Sequence, residues 1–184
     1  MELANNFVLE NFNQEVLREY DIRGIVDKDL TENTAFTIGR TFGHIVCNTF
    51  KDKTIVVGYD GRLTSPKLQK ALCIGLSESG AHVKNIGVGP TPMTYFAHYE
   101  LNTNAAIMVT GSHNPSEYNG FKMVMNKCSF FAESIQSLQS LLASEDLLVG
   151  KGSITNIDLS DKYIDRNLKN IFLKKKIKDS LGYW

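Results

Sequence analysis

Apolar and polar positions alternate along this chain with two periods, and the period switches repeatedly. Short apolar runs of strand length stand at "TIVVGYD", "AHVKNIGV", "AAIMV" and "FKMVM". Between them, apolar residues recur every three or four positions, the spacing of a helix face. The first such stretch opens with Thr31 as N-cap and places Ala35, Ile38, Phe42, Ile45 and Val46 on one face. "SPKLQKALCIGLSESG" is a second helix, with Ser65 as N-cap, Pro66 at the first helical position and Gly80 as the stop. Further helices are expected over "PMTYFAHYEL" and "AESIQSLQSLLASED", where Ile135, Leu138 and Leu142 fall in register. "REYDIRGIV" (18–26) reads as a strand interrupted by Gly24, and Asn126-Lys127 as a turn.

Strands alternating with helices of this length predict an α/β fold, a sheet flanked by helices. The loop between "AAIMV" and "FKMVM" is too short for a helical crossover, so those two strands should be antiparallel. The expectation is a mixed, mostly parallel sheet. Residues 1–15 read as a loose leader and 16–150 as one domain. "GKGSIT" (150–155) reads as a boundary, and 151–184 as a linker followed by an amphipathic helix, "DKYIDRNLKNIFLKKKIK".

Composition narrows the function classes. The chain has 184 residues, 42% hydrophobic and 22% charged, with a formal net charge of +0. That suits a soluble globular protein and gives no global argument for nucleic acid or an acidic membrane. Seven Lys/Arg against three acids from Asp161 onward make the tail +4 and the remainder −4. Such a helix at a boundary reads as an exposed docking face rather than a nucleic-acid arm. The three cysteines, Cys47, Cys73 and Cys128, are widely spaced and odd in number, which fits a reducing compartment. With no signal peptide and no apolar run of membrane length, the expected location is cytoplasmic.

Most chemical motifs are absent. "GVGPTP" lacks the third glycine of a dinucleotide fingerprint, and no GxxxxGK[ST] occurs. His44, His82, His98 and His113 lack HExxH spacing. The stretch "VTGSHNPSEYNGFK" (109–122) differs in kind, because an apolar strand opens directly into a loop at the end where α/β sheets bind ligands. Gly111 is expected to allow an unusual backbone angle beside Ser112, with Pro115 and Asn119-Gly120 making the return turn. A bare serine is a poor nucleophile, and no GxSxG elbow or accompanying acid–base pair suggests a hydrolase or esterase. A serine that carries phosphate instead needs cations and N–H donors against about two negative charges. Lys122, His113 and a nearby arginine suit that need. "REYDIRG" (18–24) and "GYDGRLTSP" (58–66) supply charged groups near other strand ends, the second placing Asp60 and Arg62 on the ligand side.

In this order and spacing, "REYDIRG", "GYDGRLTSP", "GPTP" and "TGSHNPSEYNGFK" resemble the first-domain blocks of the α-D-phosphohexomutase family, in its bacterial phosphomannomutase/phosphoglucomutase branch. The resemblance runs from about Arg18 to the end of "YIDRNL". It implies interconversion of hexose 1-phosphates and 6-phosphates through a bisphosphorylated sugar, with Ser112 carrying the phosphate. It also implies Arg23 and Lys122 beside the transferring phosphate, His113 near substrate and Tyr20 lining the cleft. Asn114, Asn119 and Gly120 would shape the loop, Asn114, Asn119 and Arg62 standing among the substrate-binding residues. Mg²⁺ would take one ligand from the Ser112 phosphate, and glucose 1,6-bisphosphate would be the activator.

The family has four domains. The rest of its metal loop (DGDxDR), its sugar-recognition loop and its serine/threonine-rich phosphate loop have no match in this sequence. The expectation is therefore a first domain plus the opening helix of a truncated second, inactive alone and completed by domains 2–4 on a separate chain. The alternative is a non-catalytic remnant or a module that binds a sugar phosphate or partner.

Overall fold

The computed structural model describes residues 7–169. The part of the expected helix 161–178 that follows Lys169, and the end of the basic tail with it, lies outside them. The described chain forms strand β1 (Ile22–Ile25), helix α1 (Glu32–Thr49), β2 (Thr54–Tyr59), α2 (Ser65–Glu78), β3 (His82–Val88) and α3 (Thr91–Glu100). There follow β4 (Ala105–Val109), β5 (Tyr118–Met125), β6 (Cys128–Ser129), α4 (Glu133–Ala143), β7 (Ser153–Asn156) and α5 (Ser160–Leu168).

The sheet runs β1-β5-β4-β2-β3-β7, with β6 added along β5. β4, β2, β3 and β7 pair in parallel, while β5 pairs antiparallel with β1, β4 and β6. Among the described strands β5 alone therefore runs against the rest, as the short connection after β4 requires. The β5–β6 hairpin turns at Asn126 and Lys127, both with positive φ, the type I′ geometry that matches strand twist.

Strand alternation splits the core into two layers. Ile55, Val57, Ala105, Ile107 and Val109 face one side, where they pack with Phe42 of α1, Leu72 of α2 and Leu138 of α4. Val56 and Ala106 face the other, against Met93 and Ala97 of α3 and Leu159 before α5. α1 and α2 approach closely because glycines sit at the crossing: a Cβ at Gly39 would meet the Leu72 carbonyl, and one at Gly75 the Phe36 carbonyl. Helix α1 starts in a reciprocal capping box between Thr31 and Thr34, whose hydroxyls both donate to Glu10.

Five local expectations need correction. The described part of the expected leader, residues 7–15, is not loose, since Phe7 stacks on Phe36, Phe12 is buried, and Glu10 braces the α1 cap. Thr64, not Ser65, precedes α2, because the Ser65 hydroxyl is spent on Asp60 at 2.6 Å. Gly24 does not interrupt a strand but pairs within β1, opposite Asn119. Asn119 and Gly120 are not the return turn. They belong to β5, and the turn closes earlier, where Tyr118 N–H donates to the Pro115 carbonyl at 3.1 Å. Finally, "SITN" within the expected linker pairs with β3 as the edge strand β7.

Candidate active site

The site sits at the C-terminal ends of β2 and β4, with residues from β1 and β5 beside it. Loop 110–117 follows β4, and its first amide is still in the sheet, Thr110 N–H donating to the Gly120 carbonyl at 2.9 Å. The loop after β2 lies alongside, because Asp60 N–H donates to the Val109 carbonyl at 3.0 Å. These two loops and the start of α2 line an open groove of about 680 Å³ that includes Ser112, Asn114, Ser116, Asp60, Arg62 and Leu63.

Ser112 is exposed and has φ of +54°. The unusual angle thus falls on the serine itself, not on Gly111. For a residue with a Cβ this left-handed conformation costs roughly 1–2 kcal/mol. Gly111 is needed for a different reason: a Cβ there would run into the Arg62 guanidinium. The Ser112 Oγ lies 3.3 Å from His113 Nδ1, and its N–H donates to Thr110 Oγ1 at 2.8 Å.

Asp60 organises the floor of the site. Its carboxylate accepts from Ser65 Oγ (2.6 Å), Thr110 Oγ1 (2.8 Å), Arg62 N–H (3.1 Å) and Gly111 N–H (3.2 Å). Burial pushes this carboxyl up, but the Ser65 and Thr110 hydroxyls and the two amides outweigh it and hold the pKa below its ordinary value.

Arg62 lines the groove with its guanidinium turned onto the backbone of residues 112–118. Its Nη1 donates to the carbonyls of Pro115 (2.6 Å) and Tyr118 (3.0 Å), and its Nη2 to those of Asn114 (2.6 Å) and Ser112 (3.0 Å). Its Nε lies 3.4 Å from Asp60 Oδ2. All four Nη–H groups are thereby spent on backbone carbonyls, with Nε in ion-pair range of Asp60. Asn119 is not substrate-facing: it is 0% exposed, and its Nδ2 donates to Thr64 Oγ1 and Ser65 Oγ, both at 2.9 Å. Asn114 lines the groove but spends its amide on the Gly111 carbonyl at 3.0 Å.

Arg23 and Lys122 meet through strand parity. Ile22 pairs with Phe121, and both enter the core on the α1 side. Their neighbours Arg23 and Lys122 therefore share the opposite face. There Asp21 Oδ2 accepts from Arg23 Nη2 at 2.6 Å and from Lys122 Nζ at 2.8 Å. Arg23 Nη1 also donates to the Gly111 carbonyl at 3.4 Å, one residue before Ser112. Asp21 and Arg23 are both buried, so this trio is shielded from the screening that weakens surface pairs. Tyr20 is the one expected residue that stands apart among these contacts. It is exposed, and a hydrogen bond to the Glu19 carboxylate, followed by that residue's charge, raises its phenol pKa.

Motif reading gave no role to Asp21, Asp60 or Thr110. The available signal was a single carboxylate inside each cation-bearing block, "YDIR" and "YDGR". Two cations against one carboxylate leave the Arg23–Lys122–Asp21 group at +1, while Arg62 and Asp60 cancel. Among the described residues no group of three His, Cys, Asp or Glu is placed to hold a metal ion. The side chains present thus do not by themselves fit Mg²⁺.

Comparison with known proteins agrees with this architecture. Residues 14–148 match the family model "Phosphoglucomutase/phosphomannomutase, alpha/beta/alpha domain I". A phosphomannomutase/phosphoglucomutase of Pseudomonas syringae pv. tomato is 39% identical over 163 residues, 89% of this chain and 35% of that protein. A phosphoglucomutase of Neisseria gonorrhoeae is 36% identical, with 92% of this chain and 37% of that protein covered. The chain thus spans about a third of the length of these relatives. A solved phosphoglucomutase/phosphomannomutase family protein of Burkholderia thailandensis superposes with a TM-score of 0.83 at 37% identity, covering 89% of this chain and 37% of that one. A structure from Thermus thermophilus, at 24% identity and a TM-score of 0.75, shares the fold. With the matched domain spanning both loops that build the Ser112 site, this chain belongs to the phosphoglucomutase/phosphomannomutase family.

Proposed function

We propose that this chain is the phosphoserine-bearing part of a phosphohexomutase, with Ser112 as carrier in the exchange of hexose 1-phosphates and 6-phosphates. The observation that carries this reading is an exposed serine, in a left-handed conformation at a strand end, with Arg23 bound to the carbonyl of the preceding residue and Lys122 joined to Arg23 through Asp21. In the transfer, the P–Oγ bond of phosphoserine breaks as a sugar hydroxyl oxygen bonds to phosphorus. The sugar hydroxyl gives up its proton and Ser112 Oγ regains one, His113 Nδ1 being the nearest ring nitrogen. The bisphosphorylated sugar then returns its other phosphate to Oγ.

Such transfers depend on positioning and charge stabilisation more than on covalent catalysis. A phosphoserine carries about −1.5 to −2, more than the +1 surplus of Arg23, Lys122 and Asp21 offsets. The balance would come from outside these residues. Mg²⁺ would take only the Ser112 phosphate from this chain, and domains 2–4 on the same or another polypeptide would close the groove. Hexose phosphates are the substrates in this reading, and the setting is cytoplasmic, where Cys47, Cys73 and Cys128 stay free.

The test is intact mass before and after incubation with glucose 1,6-bisphosphate. One added phosphate on the wild type and none on Ser112→Ala is expected. An unchanged wild-type mass would overturn the carrier role and favour a module that only binds sugar phosphates.

A further inference from the structure

We propose that Arg62, braced by Asp60, is the positioning residue that locks Ser112 in its left-handed conformation and so aims Oγ into the groove. This deepens the carrier reading above and rests on it for its catalytic meaning, though not for its structural content. Three observations carry it. First, Ser112 has φ of +54° with no glycine to make that angle free, so neighbouring structure must enforce it. Second, the Arg62 guanidinium binds the carbonyl of Ser112 itself and those of Asn114, Pro115 and Tyr118, gathering the whole turn onto one rigid plane. Third, Asp60 holds both partners of the clasp. It faces Arg62 Nε and accepts from Thr110 and Gly111, the two residues that lead into the serine.

The chemistry requires arginine. Lysine offers one point of charge with three donors on a flexible stem, whereas a guanidinium presents a fixed planar fork. Four carbonyls spread over residues 112–118 match the fork and not the point. The adjoining Gly111 fits the same account, since a side chain there would displace the guanidinium from its seat. Arg62 acts through Ser112 and is a positioning residue, its four Nη–H donors all spent on the backbone of residues 112–118.

The experiment is solution NMR of the 184-residue chain, reading the Ser112 backbone coupling and carbon shifts, which distinguish positive from negative φ. Wild type is expected to show the left-handed signature. Arg62→Lys, Asp60→Asn and Gly111→Ala are each expected to lose it while amides of α1 and β3 keep their positions. A left-handed Ser112 in a folded Arg62→Lys or Arg62→Ala variant would overturn the proposal. If one of these four variants fails to fold, a left-handed Ser112 in any folded one of the others overturns it. In parallel, Arg62→Ala should take phosphate from glucose 1,6-bisphosphate at least tenfold more slowly than wild type, with added methylguanidine recovering part of the rate. Failure of the wild type to take phosphate would count against the carrier role, while the NMR result would still decide the clasp.

Discussion

His98 faces inward from α3 and is 0% exposed. Its Nδ1 is 2.9 Å from Thr103 Oγ1, while its Nε2 is buried without a hydrogen-bond partner. Burial, reinforced by the charge of Lys127, lowers its pKa below the ordinary 6.5. A histidine kept neutral in the fold binds its proton more readily when unfolded. Its contribution to stability is therefore complete above pH 6.5 and falls away as pH drops from there toward the lowered folded value. Urea titrations should show a loss of stability on acidification through this window, and His98→Phe should flatten the slope. An equal slope in both proteins would mean that other groups govern it. The residue scale is also where the sequence told least. Ser112 stood out from its setting in "TGSHNP", but its φ did not. Arg62 looked like a free cation because its partners are backbone carbonyls, which every residue type carries alike. Asn119-Gly120 carried the strongest turn signal of the stretch, yet tertiary pairing with β1 draws both residues into a strand.

Elements with a buried face were readable, and elements without one were not. β2 and β4 announce themselves by continuous apolar runs because helices cover both of their faces. α1 and α2 show a clear apolar stripe. β7, "SITN", is exposed at all four positions, so backbone pairing with β3 and the polar side-chain contacts His82–Ser153 and Asn85–Asn156 define it, and no hydrophobic pattern could reveal it. β1, with a buried face, was readable as a strand in "REYDIRGIV", but its partner β5 lies nearly a hundred positions further on, a pairing no local window contains. The contact of α1 with α2 is legible in retrospect, since Gly39, Gly43 and Gly75 line the crossing. Gly75→Ala tests its tightness. Alanine gains about 1 kcal/mol in helix propensity. A Cβ there meets the Phe36 carbonyl and lies 3.0 Å from Arg40 N, both of them backbone atoms that cannot swing aside. Overpacking of this kind costs about 1–3 kcal/mol, and rigid backbone puts it at the upper end. A net loss of about 2 kcal/mol in denaturant unfolding is expected, whereas a stabilised variant would show that the helices can separate without cost.

At the scale of the whole molecule, the described residues supply the Ser112 loop on a firm support but leave its groove open to solvent. Leu63 at the rim is 98% exposed, an apolar side chain with nothing over it among the described residues. Phosphoryl transfer between sugar and serine needs water excluded and the donor aligned, and an open groove does neither. We therefore expect the 184-residue chain, assayed alone with glucose 1-phosphate, Mg²⁺ and glucose 1,6-bisphosphate, to give no glucose 6-phosphate above background even when Ser112 takes up phosphate. Sustained turnover would show that this third of the family's length is sufficient.

The lone reversed strand, β5, has a consequence for how the sequence can change. Because β4 returns directly through the loop, Ser112 and Lys122 sit on one uninterrupted stretch of chain, and their relation is kept by odd–even counting along β5. Residues gained or lost between 111 and 117 alter the size of the loop and leave that counting intact. A single residue gained between Asn119 and Phe121 inverts it, turning the ammonium into the core and a phenyl ring toward Asp21. Length variation on the loop side therefore leaves the face of Lys122 unchanged but disturbs the carbonyls that Arg62 gathers, and within the strand that face is kept only by changes in pairs.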